Sequence, residues 1–216
     1  MTSTDDDALL ARCARIATST WSDALDGVGL DGILEGLTQH GGTGRFAAWA
    51  ATATLTIAPL GTFPKEVLGV GRIIDAVPPG GVLVVDMGGA CVSTFGGLAA
   101  DAAVAKHVAA VVIDGGCRDV DEIAASGLWL ASRHATPRTG KTRGRLEATG
   151  APVTAGGILV AAGDLVVGDA TGLVAIPRGR VDEILAIAEE KLATDEAVAA
   201  GLRDGLTFAD AARRAA

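Results

Sequence analysis

Between Val82 and Ile176 the chain repeats short, uninterrupted apolar runs, three of the six stopped by Asp or Gly. They are Val82–Val85 before Asp86, Val111–Ile113 before Asp114, then 128–130, 158–160, 165–167 and 173–176. Runs this short favour strands over helices, and the lack of a polar alternate residue marks strands buried on both faces. Helical segments are expected between several of them, at Leu98–Val108 and Asp119–Ser126, which makes the middle of the chain a parallel α/β core. From Pro152 to Pro177 only Gly, Asp and Thr turns separate the runs, so antiparallel hairpins are expected there. Upstream, Leu9, Cys13 and Ile16 share one face of a helix over Thr4–Thr18, opened by Thr4 as a cap, and Thr20–Asp26 forms a second short helix closed by Gly27. No linker of low complexity and no internal repeat divides the sequence. It reads as a single α/β domain over 1–216, with a mixed sheet and a helical tail over about 180–216.

Charge narrows the partners. With 18 basic against 26 acidic residues the net charge is −8, a field that repels polyanions and argues against nucleic acid or an anionic membrane surface. The 19 uncharged positions from Phe46 to Pro64 approach spanning length. Thr52, Thr54 and Thr56 alternate with apolar neighbours there, however, and Pro59, Gly61 and Pro64 come next, so a strand is expected. The start, MTSTDDDALL, lacks a basic segment followed by an apolar core. Cys13, Cys91 and Cys117 are odd in number and lack a CxxC spacing, the pattern of reduced thiols. A cytoplasmic protein is expected.

Two glycine-rich segments come after strands. After Asp86 come Gly88-Gly89 and then Gly96-Gly97, the second pair opening a helix. Such a pair exposes backbone N–H groups for a carboxylate or phosphate, or it serves only a tight strand-to-helix turn; the residues leave both readings open. After Ile113 comes Asp114-Gly115-Gly116-Cys117-Arg118-Asp119, with Asp121 and Glu122 beyond. On adjacent parallel strands the two segments share one carboxyl edge, where α/β proteins bind ligands. Arg118 then offers a planar fork to a carboxylate and Asp119 a hard oxygen to a cation. Against this, Arg118 can pair with Asp121 or Glu122, and Asp119 can cap the next helix.

Gly97, then Arg118-Asp119 after twenty residues, then Glu122 after two more, resembles the signature of the 4-hydroxy-4-methyl-2-oxoglutarate aldolase family. That family also contains the regulator of ribonuclease E activity A. The resemblance extends to Ser19–Asp26, Thr136-Pro137-Arg138, Ala151-Pro152-Val153, Gly156-Gly157 and Gly163 through Gly172. It implies a swivelling β/β/α fold assembled as a homotrimer or a hexamer. It also implies a lyase that releases pyruvate from a small keto acid, acting as a class II aldolase and as an oxaloacetate decarboxylase. Substrate binding by the amides of Gly96, Gly97, Leu98 and Ala99 and by Arg118 is implied, with Asp119 as the metal ligand, Glu122 behind it, and catalysis by Arg118 and Asp119. The metal implied is divalent, magnesium first and manganese second. The family's non-catalytic regulators lack the metal-binding aspartate that this chain keeps as Asp119. The other reading is a regulator that binds ribonuclease E or another RNA-processing partner. An older family label, menaquinone methyltransferase, finds no glycine-rich methyl-donor motif here.

Stabilising the charge left by carbon–carbon cleavage needs a lysine Schiff base or a Lewis acid. None of the four lysines (Lys65, Lys106, Lys141, Lys191) ends an apolar strand, which leaves arginine, carboxylate and metal. A metal-bound water is the expected base, with Glu189 and Glu190 of a neighbouring subunit's tail as weak nominations. Cys117 is expected to pack rather than react, and His40, His107 and His134 lack metal-ligand spacing. The basic residues Arg133, His134, Arg138, Lys141, Arg143 and Arg145 read as a solvated loop, as a lure for anionic keto acids, or as an RNA contact, in that order.

Overall fold

The computed structural model describes residues 3–215; Met1, Thr2 and Ala216 lie outside it, as do the side chains of Ser3 and Thr4. The expected cap at Thr4 therefore falls outside the described set. Helices α1 (Ser3–Arg15) and α2 (Thr18–Gly27) come first, then strands β1 (Thr38–Gly41) and β2 (Phe46–Ile57). A 3-10 turn at Lys65–Leu68 leads to α3 (Val70–Asp75), β3 (Val82–Asp86), β4 (Ser93–Phe95) and α4 (Gly97–Ala105). Next are β5 (Ala110–Cys117), α5 (Val120–Ser126), β6 (Trp129–Ala135) and β7 (Gly144–Thr149). The hairpins β8 (Val153–Ala155) with β9 (Ile158–Val160) and β10 (Leu165–Gly168) with β11 (Leu173–Ile176) precede α6 (Val181–Arg203) and α7 (Phe208–Ala215).

The main sheet runs β1-β6-β5-β3-β2-β10-β11, with β4 added to β5 and β7 to β2. Pairings β2–β3, β3–β5 and β5–β6 are parallel, and β10–β11 and β8–β9 are antiparallel, as the apolar runs imply. The runs are buried on both faces because the pleat divides them. Leu83 and Val85 join Val111 and Ile113 in a core against α3, α4 and α5, while Val82, Val84 and Val112 face Val153, Ala155 and Val160 of the β8–β9 hairpin. At 0–1% exposure, each of the four β3 side chains contributes about 1.5–3 kcal/mol of hydrophobic burial. Hairpin, sheet and helices thus stack as β/β/α layers. A third core joins α1, α2 and α6 to β10 and β11 through Cys13, Trp21, Ile184 and Leu185. The first half of α6 therefore packs on its own chain.

One expectation needs correction in part. The basic stretch is a loop only in its middle: Arg138, Lys141 and Arg143 lie between β6 and β7, with Arg138 and Lys141 exposed, whereas Arg133 and His134 lie in β6 and Arg145 in β7, which pairs with β2. Strands β1 and β4 and helix α3 also went unread, because four-, three- and six-residue elements show too little periodicity. The uncharged stretch at Phe46 forms β2, and no helix among the described residues is long and apolar enough to cross a membrane.

Candidate active site

The site is built at the carboxyl end of β5. Between Ile113 and Gly116 this strand carries one residue more than β6 does between Ser132 and His134. The bulge bends the strand and re-aims the residues beyond it. Gly115 fits there because a Cβ would stand 2.5 Å from Met87 Sδ and 2.7 Å from Met87 Cβ. Past the end of the strand, Asp119 adopts left-handed φ 54° and ψ 45° at the start of α5, a region that Asp tolerates better than most residues. This conformation turns its carboxylate away from its own helix, to which it makes no cap bond. Instead Asp119 Oδ2 accepts from Gly97 N–H at 3.3 Å and stands 3.3 Å from Arg118 Nε.

The two glycine pairs separate here. Gly88 and Gly89 have φ of 60° and 71°, the turn reading. Gly96 is extended, at φ −145° and ψ −170°, so no turn requires glycine there. What requires it is close approach. A Cβ on Gly96 would stand 3.0 Å from Arg118 Nε, and one on Gly97 would overlap Glu122 Oε2 and stand 2.8 Å from Glu122 Cβ.

These residues border a cleft of about 630 Å³ lined by Gly96, Leu98, Ala99, Arg118, Asp119 and Glu122, with Ser93, Thr94, Thr139 and Lys141 at its edge. Of the expected site residues, Gly97 alone is not in the lining, though its N–H meets Asp119. The Ala99 N–H is already committed to Gly96 C=O at 3.0 Å. Leu98 N–H, in the first turn of α4, has no intrahelical acceptor to find. The alternatives in which Arg118 pairs with Asp121 or Glu122 do not occur, since its ion pair is with Asp119. Sequence reasoning missed Thr94, whose hydroxyl is buried without a partner among the described residues. It also missed the apolar wall formed by Leu68, Val70 and Ile74. A lone threonine in a three-residue strand gives no pattern to find.

The donor set suits a hydrated divalent cation. Asp119 and Glu122 supply hard oxygens, and no hydrogen bond among the described residues reaches Asp119 Oδ1. No group of three or more His, Cys, Asp or Glu suited to a metal occurs among the described residues. A full protein cage is thus absent, whereas one or two carboxylates with water and substrate oxygens is the coordination magnesium prefers.

Other nominated groups are committed elsewhere. Glu189 is held by Arg12 at 2.7 and 2.9 Å, and that hydrogen bond lowers its carboxyl below the usual range. Cys117 is buried and accepts from Ser132 Oγ at 3.3 Å, and burial pushes its thiol up. Among the basic residues, Arg133 pairs with Asp114, Arg143 donates to Thr139 C=O, Arg145 pairs with Glu147, and Lys141 reaches the cleft.

A mixed β/β/α protein with an arginine–aspartate pair at the mouth of a helix-edged cleft is the class that fold and site define. Residues 18–175, which contain every cleft residue, match the family model described as RraA-like, Aldolase/RraA, and the chain belongs to that family. It is 29% identical over 193 residues to a Halalkalibacterium halodurans protein named "Putative 4-hydroxy-4-methyl-2-oxoglutarate aldolase", covering 88% of this chain and 87% of that one. A solved Pseudomonas syringae protein of uncharacterized role superposes with a TM-score of 0.85 at 28% identity, covering 95% and 96% of the two chains. Streptomyces coelicolor RraAS2, described as an unusual member of the RNase ES inhibitor RraA family, superposes at 0.79 with 26% identity, covering 88% and 95%. Aldolase and ribonuclease-inhibitor names thus both occur among its relatives.

Proposed function

We propose that this chain is a divalent-metal-dependent class II aldolase that cleaves 4-hydroxy-4-methyl-2-oxoglutarate-type acids to pyruvate and also decarboxylates oxaloacetate. The observation that carries this reading is the Asp119 carboxylate, turned out of its helix by a left-handed backbone and left with an uncommitted oxygen beside Arg118. A residue that only capped α5 would have no need of that conformation.

The chain's own residues divide the work. Arg118 holds the substrate carboxylate through charge-assisted hydrogen bonds, and Leu98 N–H donates to the same end of the substrate. The bare backbone of Gly96 and Gly97 lets that end approach within contact distance. Asp119, with Glu122 beside it, would hold the cation. When bound, a divalent cation supplies Lewis-acid stabilisation of the negative charge that develops as the bond breaks. Arg118 balances the same charge from the protein side. The proton of the C4 hydroxyl passes to water, and C3 of the pyruvate unit takes a proton from water, so no lysine is needed.

Pyruvate release from 4-hydroxy-4-methyl-2-oxoglutarate and from oxaloacetate, with Mg²⁺ and with a chelator, tests the reading. Turnover that Mg²⁺ supports and the chelator abolishes is expected on both substrates. Absence of turnover on either, or turnover indifferent to the chelator, overturns it. In Arg118→Ala, KM for the keto acid should rise about 10²-fold.

A further inference from the structure

Beside its charged residues the cleft is lined by apolar side chains, and the pyruvate reading uses only the backbone amides of that lining. Val70 and Ile74 sit one turn apart on α3, and Leu98 and Ala102 one turn apart on α4, so each helix turns one face to the cleft. Leu68 and Ala99 complete the wall. Lys106 Nζ donates to Ile74 C=O at 3.0 Å, which ties the end of α3 to the end of α4 and fixes the distance between the two sides. Ile74 and Leu68 form a floor, 5% and 8% exposed, while Leu98 is 87% exposed. Leu98 lines the same cleft as Val70, Ile74 and Ala102, so it belongs to a shared apolar lining of the kind that takes up an apolar group. The volume agrees, since about 630 Å³ lies within the range that encloses ligands far larger than a three-carbon acid.

We propose that this wall is a subsite for an apolar substituent at C4. Resting on the aldolase reading, the proposal names its substrates as 4-hydroxy-2-oxo acids with an alkyl or aryl group at C4. The C3–C4 bond breaks, the C4 hydroxyl proton goes to water, and C4 leaves as the carbonyl carbon of an apolar aldehyde. C3 takes a proton from water to complete pyruvate. The reaction is redox-neutral and needs no co-reactant.

The test compares kcat/KM on 4-hydroxy-2-oxopentanoate, 4-hydroxy-2-oxoheptanoate and 4-hydroxy-2-oxononanoate, whose C4 groups are methyl, propyl and pentyl, alongside 4-hydroxy-4-methyl-2-oxoglutarate. An increase of about ten-fold from methyl to pentyl is expected, below the gain for full burial because the wall is open at Leu98. In Val70→Thr and Leu98→Asn, which disturb little buried structure, that ratio should fall toward one. In Lys141→Met it should persist, because Lys141 would serve a second carboxylate and not an alkyl chain. Metal-free calorimetry with 2-oxononanoate and 2-oxobutanoate supplies a readout without turnover, the longer acid binding more tightly.

A flat series alongside metal-dependent turnover of both 4-hydroxy-4-methyl-2-oxoglutarate and oxaloacetate overturns the subsite and leaves the aldolase reading intact. No turnover on any substrate, with graded binding retained, overturns the aldolase reading and leaves the subsite. If Leu98→Asn changes the oligomeric state and not the chain-length ratio, a second copy covers Leu98 and the subsite is overturned.

Discussion

Two arginine-paired aspartates sit five residues apart, Asp114 within β5 and Asp119 just past its end, and they use their bonding capacity differently. Asp114 is engaged on both oxygens: Arg133 Nε approaches Oδ1 at 2.5 Å, while Arg133 Nη2 at 3.1 Å and Gly156 N–H at 2.8 Å reach Oδ2. Burial alone would raise its carboxyl, yet the bonds from Arg133 and Gly156 outweigh it and hold the group below the usual range. The Arg118–Asp119 pair meets at 3.3 Å, with side chains 38% and 37% exposed. That distance is beyond an ordinary N–H···O bond. The first pair thus spends its capacity joining β5, β6 and the hairpin layer, and the second leaves Asp119 Oδ1 without a hydrogen bond among the described residues, the oxygen that the proposed function gives to a cation. Residue type alone does not distinguish a structural pair from a functional one, whereas the number of lone pairs already engaged does.

The comparison can be broken by separating activity from stability. Short of removing Asp119 itself, the largest effect is expected in Gly97→Ala, where the new methyl group collides with Glu122: pyruvate release should fall by at least about 10²-fold, with circular dichroism showing a folded chain. Gly88→Ala adds a methyl group to open space at positive φ, so it should cost about 1 kcal/mol of stability and leave the rate alone. Asp114→Asn should cost about 2–3 kcal/mol in a urea titration, somewhat under the figure for a fully buried pair because Arg133 keeps 30% exposure. If that variant instead loses activity at unchanged stability, the division of labour between the pairs is wrong.

The smallest effect is on pH dependence. Asp114 and Asp169 are both held below the usual carboxylate range, Asp169 because bonds from Thr18 and Thr171 outweigh its burial. A carboxyl depressed in the folded state stabilises fully above its ordinary value near pH 4, and the contribution drains away as pH falls through the depressed value. Thermal stability should therefore be flat from these groups above about pH 5 and decline below about pH 4. The decline should be shallower in Asp114→Asn.

Much of this was readable from sequence where the signal is local. The runs at 82–85 and 111–113 declare strands buried on both faces without any partner being known, and the family resemblance carried by Gly97 and Arg118-Asp119 points to residues that meet. What sequence could not supply is contact across distance. Asp114 finds Arg133 nineteen positions away, so Arg133 reads as one more cation in a basic stretch. The reason for Gly96 and Gly97 is equally hidden, because steric need set by Asp119 and Glu122 looks the same in sequence as a turn. Leu68, Val70 and Ile74 of the apolar wall come from a 3-10 turn and a six-residue helix, too short to show a period.

The central claim is that Asp119, and not Asp114, holds the cation on which turnover depends. Its most direct test is kcat/KM for pyruvate release across a Mg²⁺ titration, in wild type and in Asp119→Ala. The account predicts saturable metal dependence in wild type and a loss of about 10³-fold in the variant that added Mg²⁺ does not restore, with thermal stability little changed. An Asp119→Ala enzyme that keeps the wild-type rate and the wild-type metal dependence would contradict it.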